Sequence, residues 1–524
     1  MRFNLPSALA HKLSLFPLHR IHGVSELKII LMIPRIESAS ASPALLRHFL
    51  DSNAPFLITD LASRWEATRA WVVPGEEENF QTLDLFENFI CGHNRGELAE
   101  ETLVPVVECP GDDDKHENVE GHHSHTSNSC QDKSNSYGTE LRTEMHFTEY
   151  ARLWRTGEAE ARGLYLKDWH IVKVLKGLDG KHDKQDVREE VKAGIKDGDE
   201  LCDVLATGKQ GVQEERHEEL VGACGAEVSP ARPTAPSALF SVPFPLTDDW
   251  LNAWWDAPAS EAGHPAREDD YRFLYLGPAG TQTGLHYDVL CSYSWSANLA
   301  GTKEWTLIHP DQKGFLAENL PLQSTVPFGS VDWSDVAVRV RQGPGEMIFV
   351  PSGWFHRVRN VTGCLSINHN WFNRSCLDRV WTFVKEEASA VQERLYDLRE
   401  TFDASLCGWE RQCEVVMRAN SSINLTEWVD LLLWKARDLR LRQKDTVAPD
   451  ARLDLLAILK VLREVQRSER YVNFLFPSRF HEEPSVENLR PLPLPLQANS
   501  PSQTEEWLAA EIQQLEKCAE RLVG

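Results

Sequence analysis

Between residues 240 and 372 short apolar runs alternate with Gly/Pro turns: RFLYLGPAG, TGLHYDV, YSWSANLAG, KEWTLIHP, VRVRQGPGE, MIFVPSGWFH and CLSINHNWF. Each run is too short for a helix and rich in β-branched or aromatic residues, and the even spacing of turns folds such runs into a β-sandwich or barrel. Two more strands are expected upstream. Residues 53–72 (NAPFLITDLASRWEATRAWV) read as a short strand followed by an amphipathic helix, and LYLKDWH at 164–170 reads as a strand. After Cys376 the period changes, since Leu377, Val380, Trp381, Val384, Val391, Leu395 and Leu398 recur at helical spacing, followed by WVDLLLWKARDLRLR and LDLLAILKVLREV. This order predicts an α+β protein: an N-terminal extension at 1–32, a flanking region at 33–170, a charged insertion at 171–238, a barrel at 239–375 and a helical region at 376–524. The Pro-Leu alternation at 491–496 reads as a stiff linker before a last helix near 503–522.

Two stretches resist this pattern because they lack aromatic residues to bury. Residues 110–140 are polar and aperiodic up to Tyr137, and no aromatic residue lies between Ile171 and Leu239, where Lys, Glu and Asp alternate before a Pro-rich end. Both are expected to be surface insertions, dispensable for chemistry. His122, His123 and His125 in the first are read as low complexity, since nothing would orient them as ligands.

The chain carries 79 acidic against 55 basic side chains, a formal net charge of −24. That balance, with no basic stripe interleaved with aromatics, disfavours direct nucleic-acid binding. The eleven cysteines are scattered and never spaced C-x-x-C, which argues against a disulfide framework or a zinc cluster and for a reducing compartment. The early apolar run from Ile29 to Ile33 is too short to cross a bilayer, so no membrane association is expected. Residues 1–25 have a faintly presequence-like composition, but an extension ahead of Met32, a second candidate start, is preferred to mitochondrial targeting. N-x-S/T matches at Asn360, Asn373, Asn420 and Asn424 are read as chance.

Chemistry concentrates in the barrel segment. His286 and Asp288 sit two apart at the end of an apolar run, where strand residues project from one face. His356, after the turn in FVPSGWFH, can return to the same end of the barrel. Two histidines and one carboxylate leave open positions on a metal, the arrangement of non-heme Fe(II) oxygenases. Lys303, in GTKEW, faces the interior and needs an anion there. The distal carboxylate of a metal-bound dicarboxylate would supply it, with Thr283 adding a hydroxyl and Asn370 donating at the metal end. Ser296 and Asn298 are expected to point inward from their own strand. Tyr287, Tyr293, Trp354 and Phe355 are expected to flank the mouth, with Glu304 or the surroundings of Asp288 receiving a substrate ammonium.

TGLHYD, the lysine of GTKEWTLIHP, GPGEMIFVPSGWFHRVRN and INHNW, in that order, resemble the Jumonji C (JmjC) family of Fe(II)- and 2-oxoglutarate-dependent oxygenases. NAPFLITDLASRW, LYLKDWH, DDWLNAWW, DDYRFLYLGPAG, SYSWSAN and SINHNWFN are similar to its branch of release-factor lysyl hydroxylases. The resemblance implies a double-stranded β-helix, a jelly-roll or cupin-like barrel, with flanking N-terminal elements. It implies His286, Asp288 and His356 as iron ligands, Thr283 and Lys303 as contacts to the distal carboxylate, and Asn370 near the cosubstrate. Ser296 stands where some relatives carry asparagine. The implied reaction consumes 2-oxoglutarate and O2 and hydroxylates an unactivated C–H bond on a protein substrate, the translation termination release factor. The expected location is the cytoplasm, with the nucleus second, and a homodimer through the C-terminal helices is left open. A histone lysine demethylase is the alternative, disfavoured by the absence of Cys/His clusters and basic tracts, and a catalytically silent binding barrel is a third.

Overall fold

In a computed structural model of the chain, the structure describes residues 33–75, 80–91, 102–109, 136–137, 141–176, 239–258, 269–320, 328–402, 408–442, 450–478 and 501–521. The expectations for 1–32, for His122, His123 and His125, and for 491–496 lie outside the described residues.

Fourteen strands among these residues form two sheets. They are β1 (Arg35–Ile36), β2 (Phe56–Ile58), β3 (Leu103–Glu108), β4 (Ser136–Tyr137), β5 (Leu141–His146), β6 (Leu164–His170), β7 (Arg272–Gly277), β8 (Gln282–His286), β9 (Tyr293–Ala300), β10 (Lys303–Ile308), β11 (Ala337–Gln342), β12 (Met347–Val350), β13 (Phe355–Asn360) and β14 (Cys364–Trp371). One sheet runs β1-β2-β12-β9-β14-β7-β6-β3-β5, and the other β11-β10-β13-β8-β4. The last eight strands thus divide four and four, β12-β9-β14-β7 facing β11-β10-β13-β8, which is the jelly-roll pattern of a double-stranded β-helix.

The flanking region does not stand apart from the barrel. Six of its strands extend the two sheets, with β6 pairing β7 and β2 pairing β12. The insertions are also shorter than the aromatic spacing suggested. Ser136 and Tyr137 pair antiparallel with His286 and Leu285, so the far end of the first insertion is an edge strand beside the candidate ligand strand. Residues 171–176 are helical and bury Ile171, Val172 and Leu175 in the main core. Replacing all of 110–140 would strip β8 of a neighbour, which a purely compositional reading cannot foresee.

The main core joins the larger sheet to the helices: Trp71, Phe86, Trp169, Trp250, Trp295, Trp371 and Trp428 are buried in one cluster with the C-terminal helices. Those helices are Leu377–Leu395, Gly408–Ser421, Leu425–Arg442, Ala451–Gln466, Glu469–Ser478 and Pro501–Arg521. Among the described residues no helix is long and apolar enough to cross a membrane. Asn360 and Asn373 are buried, Asn360 donating to the Thr281 hydroxyl at 2.9 Å, which makes them parts of the fold rather than glycan acceptors.

The turn between β9 and β10 sets where Lys303 enters the barrel. Gly301 has φ +78°, and a Cβ there would lie 1.9 Å from the Gly363 carbonyl oxygen. Backbone strain and this clash act together, so Gly301→Ala should destabilise the protein by roughly 3 kcal/mol or more in urea unfolding. A variant as stable as the parent would show that the turn relaxes freely.

Candidate metal centre

β8 and β13 are antiparallel neighbours in which His286 lies directly across from His356. Their ring centroids are 4.2 Å apart. Asp288 follows the end of β8, and one potential ligand atom from each of the three residues lies within 4.8 Å of the others. Among the described residues this is the one His/Cys/Asp/Glu group so disposed.

Each of the three is held by a second contact. The Nδ1 of His286 lies 2.8 Å from the Gly284 carbonyl and that of His356 3.1 Å from the Trp354 carbonyl. A carbonyl only accepts, so each Nδ1 carries the proton and each Nε2 keeps its lone pair for a ligand. Burial and the adjacent His356 push the His286 imidazole down to about 3, so it stays neutral near pH 7. The Asp288 carboxylate accepts from Ser294 Oγ at 2.8 Å and from Asn370 Nδ2 at 2.7 Å, one on each oxygen. Each oxygen retains a lone pair. Two imidazoles anchored through Nδ1 and an oriented carboxylate fit Fe(II), and a three-donor set leaves positions for exchangeable ligands.

These residues line one pocket together with Tyr165, Tyr275, Thr283, Lys303, Trp305 and Asn368. Lys303 is 1% exposed. Its ammonium donates to Ser366 Oγ at 2.6 Å and lies 5.8 Å from the centre of the Tyr275 ring. Burial lowers its pKa to about 8. Among the described residues no carboxylate pairs with it, so this is a buried cation awaiting an anion.

The other expected positions divide. Thr283 and Asn370 reach the pocket. Asn370 donates to Asp288 rather than into open space. Ser296 stands one step back, donating at 2.8 Å to the Oδ1 of Asn368. Asn298 does not reach the pocket: it is fully buried and its Nδ2 donates at 2.6 Å to the Gly301 carbonyl, bracing the β9–β10 turn. The aromatic mouth is not assembled. Tyr293 is a core residue whose hydroxyl donates to the Leu50 carbonyl at 2.8 Å. Trp354 is buried with its indole N–H on the Asn53 carbonyl at 3.0 Å. Tyr287 and Phe355 pack edge to face at 5.4 Å. Glu304 lies on the outer face of β10, opposite in direction to Lys303.

Sequence reasoning missed the tyrosines. Tyr165 and Tyr275 sit on β6 and β7, and burial raises both phenols well above their usual range, so they stay hydrogen-bond donors. The hydroxyl of Tyr275 donates at 2.5 Å to Asp168, which has a left-handed φ of 57° at a register shift between β6 and β7. LYLKDWH was legible as a strand, but its shift, which re-aims Asp168, follows from pairing with β7.

Residues 42–376 match the cupin-like domain family. The chain is 27% identical over 487 residues to the 2-oxoglutarate and iron-dependent oxygenase JMJD4 of Gallus gallus, covering 88% of each chain. The Homo sapiens protein of the same name is 37% identical over 222 residues, covering 40% of this chain and 50% of its own. The arginine-specific demethylase JMJ20 of Arabidopsis thaliana is 26% identical over 426 residues, covering 77% of this chain and 70% of its own.

Proposed function

This chain belongs to the cupin-like domain family, and from that premise we propose that it is an iron- and 2-oxoglutarate-dependent oxygenase of the Jumonji C type that hydroxylates a lysine of the translation termination release factor. The observation that carries the oxygenase reading is Lys303: a buried ammonium without a carboxylate partner among the described residues, in the same pocket as two histidines and an aspartate. An isomerase-type cupin barrel has no dicarboxylate to anchor. JMJD4 relatives covering up to 88% of this chain carry that activity in their names.

Iron, when bound, supplies the redox chemistry that couples decarboxylation of 2-oxoglutarate to insertion of oxygen into a C–H bond. The Nε2 atoms of His286 and His356 and an oxygen of Asp288 hold it, while the Gly284 and Trp354 carbonyls, Ser294 and Asn370 keep those atoms aimed. Lys303 and Thr283 receive the distal carboxylate at the inner end. Burial of this end by Trp305, Val358 and the tyrosines keeps water from it. The prime substrate then enters from the opposite, ligand-bearing side. Release factor as that substrate rests on the motif resemblance and on an acidic surface that favours encounter with a basic segment. The cytoplasm, with the nucleus second, is the matching location.

The demethylase reading draws on the similarity to two Arabidopsis arginine-specific demethylases. Purified protein with Fe(II), 2-oxoglutarate, O2 and release factor separates the two. A gain of one oxygen on a lysine, mapped by mass spectrometry, is expected. Loss of methyl groups from a methylated arginine or lysine peptide, with the release-factor mass unchanged, would overturn the proposal.

A further inference from the structure

In the antiparallel ladder of β2 and β12, Phe56 pairs with Phe349 and Ile58 with Met347. Continued past the end of β12, that register places Asn53 opposite Ser352. The β12–β9 ladder, in which Val350 pairs with Ser294, places Ser292 on the other side of Ser352 in the same way. Pro351, Ser352, Gly353 and Trp354 form a turn closed by the Trp354 amide on the Pro351 carbonyl at 3.2 Å. Gly353 takes its left-handed corner, with φ +75°. This turn leads into His356, and it sits between the end of the helix Pro43–Ser52 and the loop that follows Asp288.

His286 and His356 are fixed relative to each other by the pairing of β8 with β13, but Asp288 lies past the end of β8, where no ladder holds it. The loop after it is strained. Leu290 and Cys291 hold left-handed φ of 58° and 52°, which non-glycine residues keep only where the surroundings enforce it. Leu290 is enforced by burial in the main core. Cys291 is tied at both backbone groups: its N–H donates to the Asp288 carbonyl at 3.0 Å, and its carbonyl accepts from Ser352 Oγ at 2.5 Å. Ser352 is fully buried, and its own carbonyl accepts from Asn53 Nδ2 at 2.9 Å. Asn53 ends the helix in a left-handed cap with φ 52°, a conformation asparagine tolerates. Its carbonyl accepts the Trp354 indole N–H at 3.0 Å, and the Trp354 carbonyl accepts from His356 Nδ1 at 3.1 Å.

A continuous chain of hydrogen bonds thus runs from Asp288 through Cys291, Ser352, Asn53 and Trp354 to His356. We propose, on the reading of His286, Asp288 and His356 as metal ligands, that Ser352 and Asn53 are positioning residues that fix the separation of Asp288 from His356. Neither lines the pocket. Ser352 acts by holding the left-handed loop in place, and Asn53 by fixing Ser352 and Trp354 to the same helix end. Tyr293 adds a second tie there, since its hydroxyl donates to the Leu50 carbonyl at 2.8 Å. The helix Pro43–Ser52 is thereby a support of the metal centre, although it contributes no ligand.

The test is titration of the full-length protein with Co(II), read from the visible absorption of the bound ion and so independent of turnover. The parent should bind one equivalent. Ser352→Ala should raise the dissociation constant about tenfold or more and alter the absorption band. Asn53→Gly, which keeps the left-handed cap while deleting the amide, should do the same, and it decides the matter alone if Ser352→Ala does not fold. The double variant should lose no more than the larger single change, because one broken link already opens the chain. Ser421→Ala removes an equally buried hydroxyl outside this chain, one that donates to Glu387 at 3.1 Å, and should leave Co(II) affinity unchanged. Parent-like affinity in Ser352→Ala and Asn53→Gly, losses that multiply in the double variant, or an equal loss in Ser421→Ala would overturn the positioning role and leave the metal centre standing. No binding of Co(II) by the parent would overturn both.

Discussion

His286→Ala is expected to reduce 2-oxoglutarate turnover to background, a loss well beyond the roughly 10- to 100-fold that follows removal of a residue merely supporting a ligand. The variant deletes one of three donors, and two are too few to hold a divalent ion against water. Its fold should survive, because the lost side chain gives up only a local contact to the Gly284 carbonyl and a ring contact with His356. Asp288→Ala should be equally inactive but less stable. Ser294 and Asn370 each lose an acceptor in a buried site, and an unsatisfied buried group costs about 1–3 kcal/mol. Metal titration and a succinate-release assay check both variants together with urea unfolding. Near-normal turnover by either one would remove it from the ligand set.

Strand periodicity made much of the centre legible. His286 and Asp288 two apart, and a histidine after a turn on another strand, need only the alternation of a pleated chain to converge. What periodicity leaves out is which strand lies beside which. Tyr293 and Trp354 are close in sequence to the candidate ligands, yet their polar tips reach the carbonyls of Leu50 and Asn53, from a part of the chain that no spacing rule connects to them. Asn298 shares a face with Ser296 but stands beside the Gly301 turn, whose carbonyl takes its amide. Composition marked the first insertion by the gap in aromatics that ends at Tyr137, but strand pairing runs through backbone hydrogen bonds that composition does not register, so the pairing of Ser136 and Tyr137 with β8 was not legible.

Lys303→Met should separate the cosubstrate site from the fold, because the same burial that prepares the ammonium for a carboxylate is unfavourable without one. Burial brings the lysine down to about 8 in the folded chain, against its ordinary value of 10.5. Its folded pKa is thus depressed, and for a base the cost is fully present below about pH 8 and disappears as pH rises toward 10.5. Near pH 7 that cost is of the order of 3 kcal/mol. Methionine of similar length removes it while leaving the Ser366 hydroxyl without its donor, an offsetting loss of about 1–3 kcal/mol. The variant should therefore be at least about as stable as the parent. Cosubstrate affinity should move the other way: a buried charge-assisted bond is worth roughly 1.5–3 kcal/mol, so the dissociation constant for 2-oxoglutarate should rise about 10- to 100-fold while metal affinity stays unchanged. In the parent, affinity should fall about tenfold per unit as pH climbs above 8, since the neutral amine must first take up a proton. The methionine variant should lose that dependence. Calorimetric titration of 2-oxoglutarate between pH 7 and 10 measures both effects, and an unchanged affinity in Lys303→Met would make the lysine a structural residue with Ser366 as its whole purpose.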